Sequence, residues 1–362
     1  MPGYADRRRA LLDRIDGDAF LAFNLEGSDP ASLRYLTGFT GEGALLLSAS
    51  ETLLLTDSRY TEQAKRETAD VRTEEGQTWN LKGIAEAIAR TGYKRVIFPS
   101  ARVSHHWFEE MDKLGDFTLV PRKDPVSELR RVKTPQEITA LKAAARIADD
   151  ALTELVPTLR EGMNEAEIAL RLEMLIREAK TEGIAFPINV SAGENTALNH
   201  YNPVHGRRPL KRGDLLLFDF GACVSGYRSD ITRTFSVGAP SPQAKEIYGV
   251  VLRANLAAIE SAQSGKSGIE VDAVARTLIA EAGYGKDFGH GLGHGIGLEV
   301  HESPRLSPLS KDTLEAGMVC TIEPGIYLTG LCGVRIEDDV VITDQGCEVI
   351  TGFPKERLME VG

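Results

Sequence analysis

Four acidic residues stand in runs where a strand would otherwise be apolar, and they constrain this chain more than any other feature. Asp219 ends the run LLLF, Asp230 opens ITRTFSV, Glu323 follows VCTI, and Glu337 sits in VRIEDDVVI. A carboxylate taken out of water needs a partner, a proton or a metal, because an isolated buried charge is too costly to keep. A fold that buries these four strands must also provide for their acids.

The turns between the strands suggest how. Folding the chain back between Val224 and Ser225, with Ser225-Gly226 in the turn, sets Asp219 opposite Asp230. Folding it at Gly330 sets Glu323 opposite Glu337. Glycine suits tight turns of this kind. Like charges directly opposed destabilise a sheet unless something bridges them, and a divalent cation is the simplest bridge. Arg335 lies two residues before Glu337, so both side chains share a face. It can orient that carboxylate or bind a substrate oxygen.

Histidine is scarce, yet three of the chain's seven lie in HGLGHGIGLEVHE, residues 290–302. His294 and His301 are seven apart, a spacing that a continuous strand sends to opposite faces. Gly295 and Gly297 permit a bend that returns both to one cleft, and spacing alone does not choose the ligand between them. His290 reads as structural. Four carboxylates suit hard divalent cations. Their charge of −4 balances two such ions, giving a neutral two-metal cage with room for a shared hydroxide; ions about 3.5–4 Å apart activate water and polarise a carbonyl together.

The rest of the chain frames this site. Residues 18–120 alternate strand-like runs (AFLAFN, GALLLSA, ETLLLTD, RVIFPS, FTLVP) with helical patterns (YTEQAKRE, LKGIAEAIAR, HHWFEEMDKL), as an α/β domain with a partly parallel sheet does. The N-terminal stretch reads as an amphipathic helix. The charged, proline-bearing VPRKDPVSELRRVKTPQEI reads as the join, after which Thr134, Pro135 and Glu137 form a helix start with a capping box. From Phe186 onward strands dominate. The expected organisation is a smaller α/β domain over 1–125 and an α+β domain over 130–362.

Composition excludes some classes. A net charge of −11 argues against nucleic acid, whose phosphates need a basic face. No apolar run approaches the roughly 20 residues that span a bilayer. The N-terminus lacks a signal-peptide core, so the expected location is the cytoplasm. The four cysteines have no CxxC spacing and read as small core residues.

These residues together resemble the creatinase/aminopeptidase "pita-bread" superfamily of two-metal peptidases, in its prolidase and aminopeptidase P branch. The matching pieces are LLLFDFGACVSGYRSDITRTF, GHGLGHGIGLEVHE, TIEPGIY and GVRIEDDV, in the family's order; RYLTGFTGEGALLL and LLLTDSRYTEQA extend the likeness more weakly into the N-terminal half. The resemblance implies an α+β pita-bread catalytic domain preceded by a creatinase N-terminal-like domain that shapes the substrate end and supports a homodimer. It implies that Asp219, Asp230, His294, Glu323 and Glu337 bind two divalent ions, with Asp230 and Glu337 bridging. Manganese, zinc and cobalt are all compatible. His301 is then the oxyanion contact, His200 lies near the scissile amide, Arg335 supports the ligands, and Glu323 also shuttles the proton. His205, in NPVHGRRP, does not align with the family pattern.

The implied reaction is hydrolysis of the Xaa-Pro imide bond in peptides with proline second. His200, Tyr201, His301 and Tyr327 are expected to wall the proline slot. A prolidase acting on dipeptides is the leading reading. An aminopeptidase P acting on longer peptides is the alternative, and a non-catalytic peptide-binding module is the rival from another class. Arg59 and Arg34 are candidate hooks for a substrate carboxylate.

Overall fold

The computed structural model describes residues 3–76, 81–203 and 206–362. His205 lies outside the described residues. The chain divides into two compact units, Met1–Arg130 and Arg131–Gly362. Between them, the segment read as a join carries a helix, Pro125–Arg130, which belongs to the first unit.

The first unit holds a six-stranded sheet formed by β1 (Ala19–Asn24), β2 (Gly43–Ser48), β3 (Thr52–Asp57), β4 (Arg72–Gly76), β5 (Arg95–Pro99) and β6 (Thr118–Arg122), in the order β4-β3-β2-β1-β5-β6. β1, β2 and β3 pair antiparallel, and the outer pairs are parallel. β4 is RTEEG; as an edge strand it needs no apolar run, so periodicity does not reveal it. The first helix, Tyr4–Leu12, departs from the amphipathic expectation. Its buried face is Arg7, Arg8 and Leu11. Arg7 and Arg8 donate to the carbonyls of Tyr35 and Leu36, at 3.0 and 3.1 Å, and so cap the last turn of helix Pro30–Thr37.

The second unit is built on two sheets. One runs β20-β12-β9-β8, from β8 (Asn189–Ala192), β9 (Leu215–Phe220), β12 (Ile231–Val237) and β20 (Met359–Val361). The other runs β14-β13-β15-β18-β19, from β13 (Gly293–Gly295), β14 (Glu302–Leu306), β15 (Val319–Ile322), β18 (Asp338–Thr343) and β19 (Gly346–Val349). Smaller sheets join β7 (Gly183–Ile184), β10 (Ala222–Val224) and β11 (Tyr227–Arg228), and pair β16 (Gly325–Leu328) with β17 (Cys332–Arg335).

Each large sheet packs one face on a pair of helices. Phe218, Phe220, Ile231, Phe235 and Val190 share a core with Leu152, Leu155, Leu172 and Ile176 from helices Pro135–Leu155 and Glu165–Glu178. Cys320, Ile322, Val334, Ile336, Val340 and Ile342 share another with Val251, Ala254, Val271 and Ala275 from helices Pro242–Ser261 and Gly268–Glu281. Strand alternation sends the intervening residues the other way. Asp219, Thr232, Glu323, Arg335 and Glu337 therefore leave the helical cores together.

The first hairpin register differs from expectation. Ser225 and Gly226 both have positive φ, 52° and 82°, as a two-residue type I′ turn requires. They stay unpaired, so the first pair is Val224 with Tyr227, and Asp219 lies opposite Thr232 rather than Asp230. The offset of two residues preserves the face, because the side-chain period is two. The second hairpin keeps one register throughout: Ile322 pairs with Asp338, and Gly325 with Arg335. Glu323 and Glu337 occupy matching positions in the gap between these two ladders.

Candidate metal centre

A cavity of about 770 Å³ in the second unit is lined by Asp219, Asp230, His294, Glu323 and Glu337, together with His200, Tyr201, His290, His301 and Arg335. Asp230, His294 and Glu337 each offer a donor atom within 4.8 Å of the others. His294 Nε2 lies 3.3 Å from Glu323 Oε1 and 3.8 Å from Asp230 Oδ2. His294 Nδ1 faces the Gly295 carbonyl at 3.1 Å, so a proton on Nδ1 leaves the Nε2 lone pair directed at the acids.

The electrostatics are those of a cation site. Burial, then repulsion from neighbouring acids, pushes Asp230 and Glu337 well above the ordinary carboxylate range. Glu323 is pushed up to about 7, burial again leading. Burial also raises Asp219, opposed mainly by the Arg335 charge. His294 is held down to about 3 by burial and by His301, and is therefore a neutral imidazole at pH 7. Asp230 Oδ1 is buried with no hydrogen-bond partner among the described residues. Four mutually repelling acids, a neutral imidazole and an orphaned carboxylate oxygen together fit divalent cations.

Arg335 organises this cluster. Its Nη2 donates to Asp219 at 2.5 Å, its Nε to the Thr232 hydroxyl at 2.9 Å, and its Nη1 to the Tyr327 phenol at 2.9 Å. Thr232 donates onward to Glu337 at 2.6 Å. One buried guanidinium thus fixes two carboxylates, one directly and one through a hydroxyl. Tyr327 was expected to wall the proline slot, but it is not among the residues lining the cavity. It is buried, and its phenol lies between Arg335 and His290 Nε2, the latter 2.9 Å away. His290 also contacts the Gly291 carbonyl, and burial holds it down to about 4. The first histidine of the HGLGHG run therefore belongs to the scaffold behind Arg335.

His301 stays exposed, with its ring centroid 4.4 Å from that of His294, so the glycine-rich bend does bring both to one cleft. His200 is exposed on the cavity wall. Tyr201 lines it too, its hydroxyl held by Glu165 at 2.6 Å. The arginines considered as carboxylate hooks are engaged elsewhere: Arg59 donates to both Asp57 oxygens and to Glu42, and Arg34 also has a partner.

Of the cavity residues that sequence does not single out, two stand beside candidate ligands. Arg305 pairs with His294 across β13 and β14, lines the cavity, and its exposed guanidinium has no hydrogen bond or ion pair among the described residues. Asn189 pairs with Asp219 across β8 and β9 and also lines the cavity. Neither sits in a metal-ligand pattern, and only the ladder register brings each beside a candidate ligand.

Comparison with known proteins agrees with this architecture. Residues 6–132 match the creatinase/prolidase N-terminal domain, and residues 139–344 match metallopeptidase family M24. The chain is 41% identical over 356 residues to an uncharacterized peptidase of Bacillus subtilis, covering 98% of this chain and 99% of that one. It is 38% identical over 356 residues to a Xaa-Pro dipeptidase of Pyrococcus horikoshii, covering 96% of each. The crystal structure of an X-Pro aminopeptidase from Thermotoga maritima superposes with a TM-score of 0.90 at 41% identity, covering 98% of this chain and 100% of that one.

The fold and the acidic cluster are those of a two-domain α+β metallopeptidase. The chain belongs to metallopeptidase family M24, in the prolidase branch of the pita-bread enzymes, and carries the creatinase/prolidase N-terminal domain. Among the described residues, no helix is long and apolar enough to cross a membrane.

Proposed function

We propose that this enzyme hydrolyses the Xaa-Pro imide bond of dipeptides. The observation that carries the reading is Arg305, a guanidinium on the cavity wall beside the acidic cluster that has no hydrogen bond or ion pair among the described residues. A dipeptide ends in a carboxylate one residue beyond the scissile bond, and an unpaired arginine is suited to bind it bidentately. The Pyrococcus horikoshii relative, named as a Xaa-Pro dipeptidase, supports this substrate class. The Thermotoga maritima structure, named as an X-Pro aminopeptidase, keeps cleavage of longer peptides as the second reading. A non-catalytic binding module is disfavoured because all five expected donors line one cavity.

Asp219, Asp230, His294, Glu323 and Glu337 would hold two divalent cations, with Asp230 and Glu337 shared and manganese the leading candidate. Such ions, when bound, supply Lewis acidity and make water reactive near neutral pH. The chain's own groups do the rest. His301 donates to the oxyanion that develops on the carbonyl before proline. The proline nitrogen has no N–H and must gain a proton to leave, and Glu323 relays it. His200 steadies the scissile amide, and Tyr201 walls the proline ring. Arg335 keeps Asp219 and Glu337 in place throughout. A homodimer in the cytoplasm completes the proposal.

The test is one assay on metal-stripped protein refilled with manganese. It compares Ala-Pro, Ala-Pro-Ala and Met-Ala-Ser. Metal-dependent cleavage of Ala-Pro alone supports the dipeptidase. Dominant cleavage of Ala-Pro-Ala overturns it in favour of the aminopeptidase. Inertness toward all three favours the binding module.

A further inference from the structure

Asn189 stands out among the cavity residues that the mechanism leaves unused. Both ends of its carboxamide, Oδ1 and Nδ2, are buried and lack a hydrogen-bond partner among the described residues. The residue is 6% exposed, yet it lines the cavity. Val190 and Ala192 of the same strand face the helical core, so alternation turns Asn189 to the site face. The register places it directly opposite Asp219, where Cβ atoms across a ladder are about 4.5–5.5 Å apart.

An unpaired buried amide is a standing cost to the fold, and most such groups in native proteins have a partner. The surroundings narrow what that partner is. Phe186, Pro187 and Ile188 precede Asn189 on the cavity wall, and Val300 lines it too. None of these four side chains carries a hydrogen-bonding group. The missing partner must both donate and accept, because both ends of the amide are open.

Position in the fold says which part of the substrate arrives there. β8 and β14 are edge strands of the two different large sheets. Each sets one polar side chain opposite a candidate ligand: Asn189 opposite Asp219, and Arg305 opposite His294. With the dipeptide's carboxylate assigned to Arg305 on β14, the edge strand of the other sheet, β8, is left for its first residue.

We propose that Asn189 is a specificity-determining residue that hydrogen-bonds the side chain of the substrate's first residue, selecting hydroxyl and carboxamide side chains over apolar ones of equal size. A site with open hydrogen-bonding groups discriminates strongly against an analogue that leaves them unpaired. The inference rests on the Xaa-Pro reading above.

The test uses the manganese-loaded full chain and two near-isosteric pairs, Gln-Pro against Met-Pro and Ser-Pro against 2-aminobutyryl-Pro. It measures kcat/KM for wild type, Asn189→Leu and Asn189→Ala, and the melting temperature of each protein. The wild type is expected to favour the polar member of each pair by tenfold or more. In Asn189→Leu that ratio is expected to fall at least tenfold, while the melting temperature rises because the unpaired amide is gone. Asn189→Ala gives a second reading of the ratio should leucine crowd the cavity. If all four dipeptides are cleaved and their ratios are the same in every protein, the inference fails and the Xaa-Pro reading stands. If no Xaa-Pro dipeptide is cleaved by the wild type, that reading fails and the inference falls with it.

Discussion

Arg335 donates to Asp219 at 2.5 Å and, through Thr232, to Glu337. One side chain therefore sets two of the four carboxylates that the sequence singles out. Groups that orient metal-binding side chains typically contribute 10–100-fold in metal affinity or activity. Arg335→Met is expected to lower kcat/KM on Ala-Pro by about 10²-fold and to weaken manganese binding measured by calorimetry. Thr232→Val removes only the relay to Glu337 and should cost about tenfold. Equal losses in the two variants would contradict a relay through Thr232.

Arg305 makes a different kind of prediction, because the proposed function sets it against the substrate rather than the ligands. Arg305→Gln is expected to raise KM for Ala-Pro by about 10–100-fold, the loss of one charge-assisted contact. Ala-Pro-amide has no terminal carboxylate, so its kinetics should change by less than threefold, within the spread of a neutral change. Equal effects on both substrates would remove the carboxylate role.

The repelling acids predict an unusual pH dependence for metal-free protein. Glu323 is raised to about 7, and Asp230 and Glu337 lie well above the ordinary range. Their folded forms bind more protons than the unfolded chain, so stability falls as pH rises through the folded values. His290 and His294 are depressed to about 4 and about 3 and act oppositely, but only as pH falls below about 6.5. Between pH 6.5 and 8.5 the histidine contribution, His301 included, fades out, while the buried acids, Asp339 among them, still oppose stability. The melting temperature of stripped protein is expected to fall across that window, and manganese to raise it more at pH 8.5 than at pH 6.5. A flat profile without metal would mean the acids are not in mutual repulsion.

Behind the site, Arg233 is fully buried and binds the carbonyls of Thr232, Glu337 and Phe353 as well as Asp338 at 2.8 Å. Burial alone would raise Asp338, but Arg233 and Lys355 overcome it and hold the acid at about 2. Removing one member of a buried ion pair strands the other charge. Arg233→Met should destabilise the fold by about 3–5 kcal/mol, read from urea unfolding. Asp338→Asn tests the same network from the other side. A loss under about 1 kcal/mol in both would show the network to be dispensable.

What was legible in the chain was what local chemistry dictates. The acids in LLLFD and VCTIE betrayed the site because apolar runs must be buried and charges resist burial. The Thr134–Glu137 capping box and the Ser225-Gly226 turn followed from which groups a helix start or a tight turn must satisfy. Strand β4 and the arginine-bearing buried face of the first helix were not legible, since their stability comes from neighbours that periodicity does not name.

By itself the sequence singled out the residues proposed to carry the chemistry: Asp219, Asp230, His294, Glu323 and Glu337 are chosen by residue type and by the family pattern around them. Only the tertiary structure decided what stands beside each of them. The ladder register set Asp219 against Thr232 and Asn189 and set His294 against Arg305. The packing of β16 and β17 placed Tyr327 behind the site rather than in its wall. The physical reason is that ligand identity is a property of single side chains, whereas orientation and specificity depend on partners distant in sequence, which only the register of paired strands brings together.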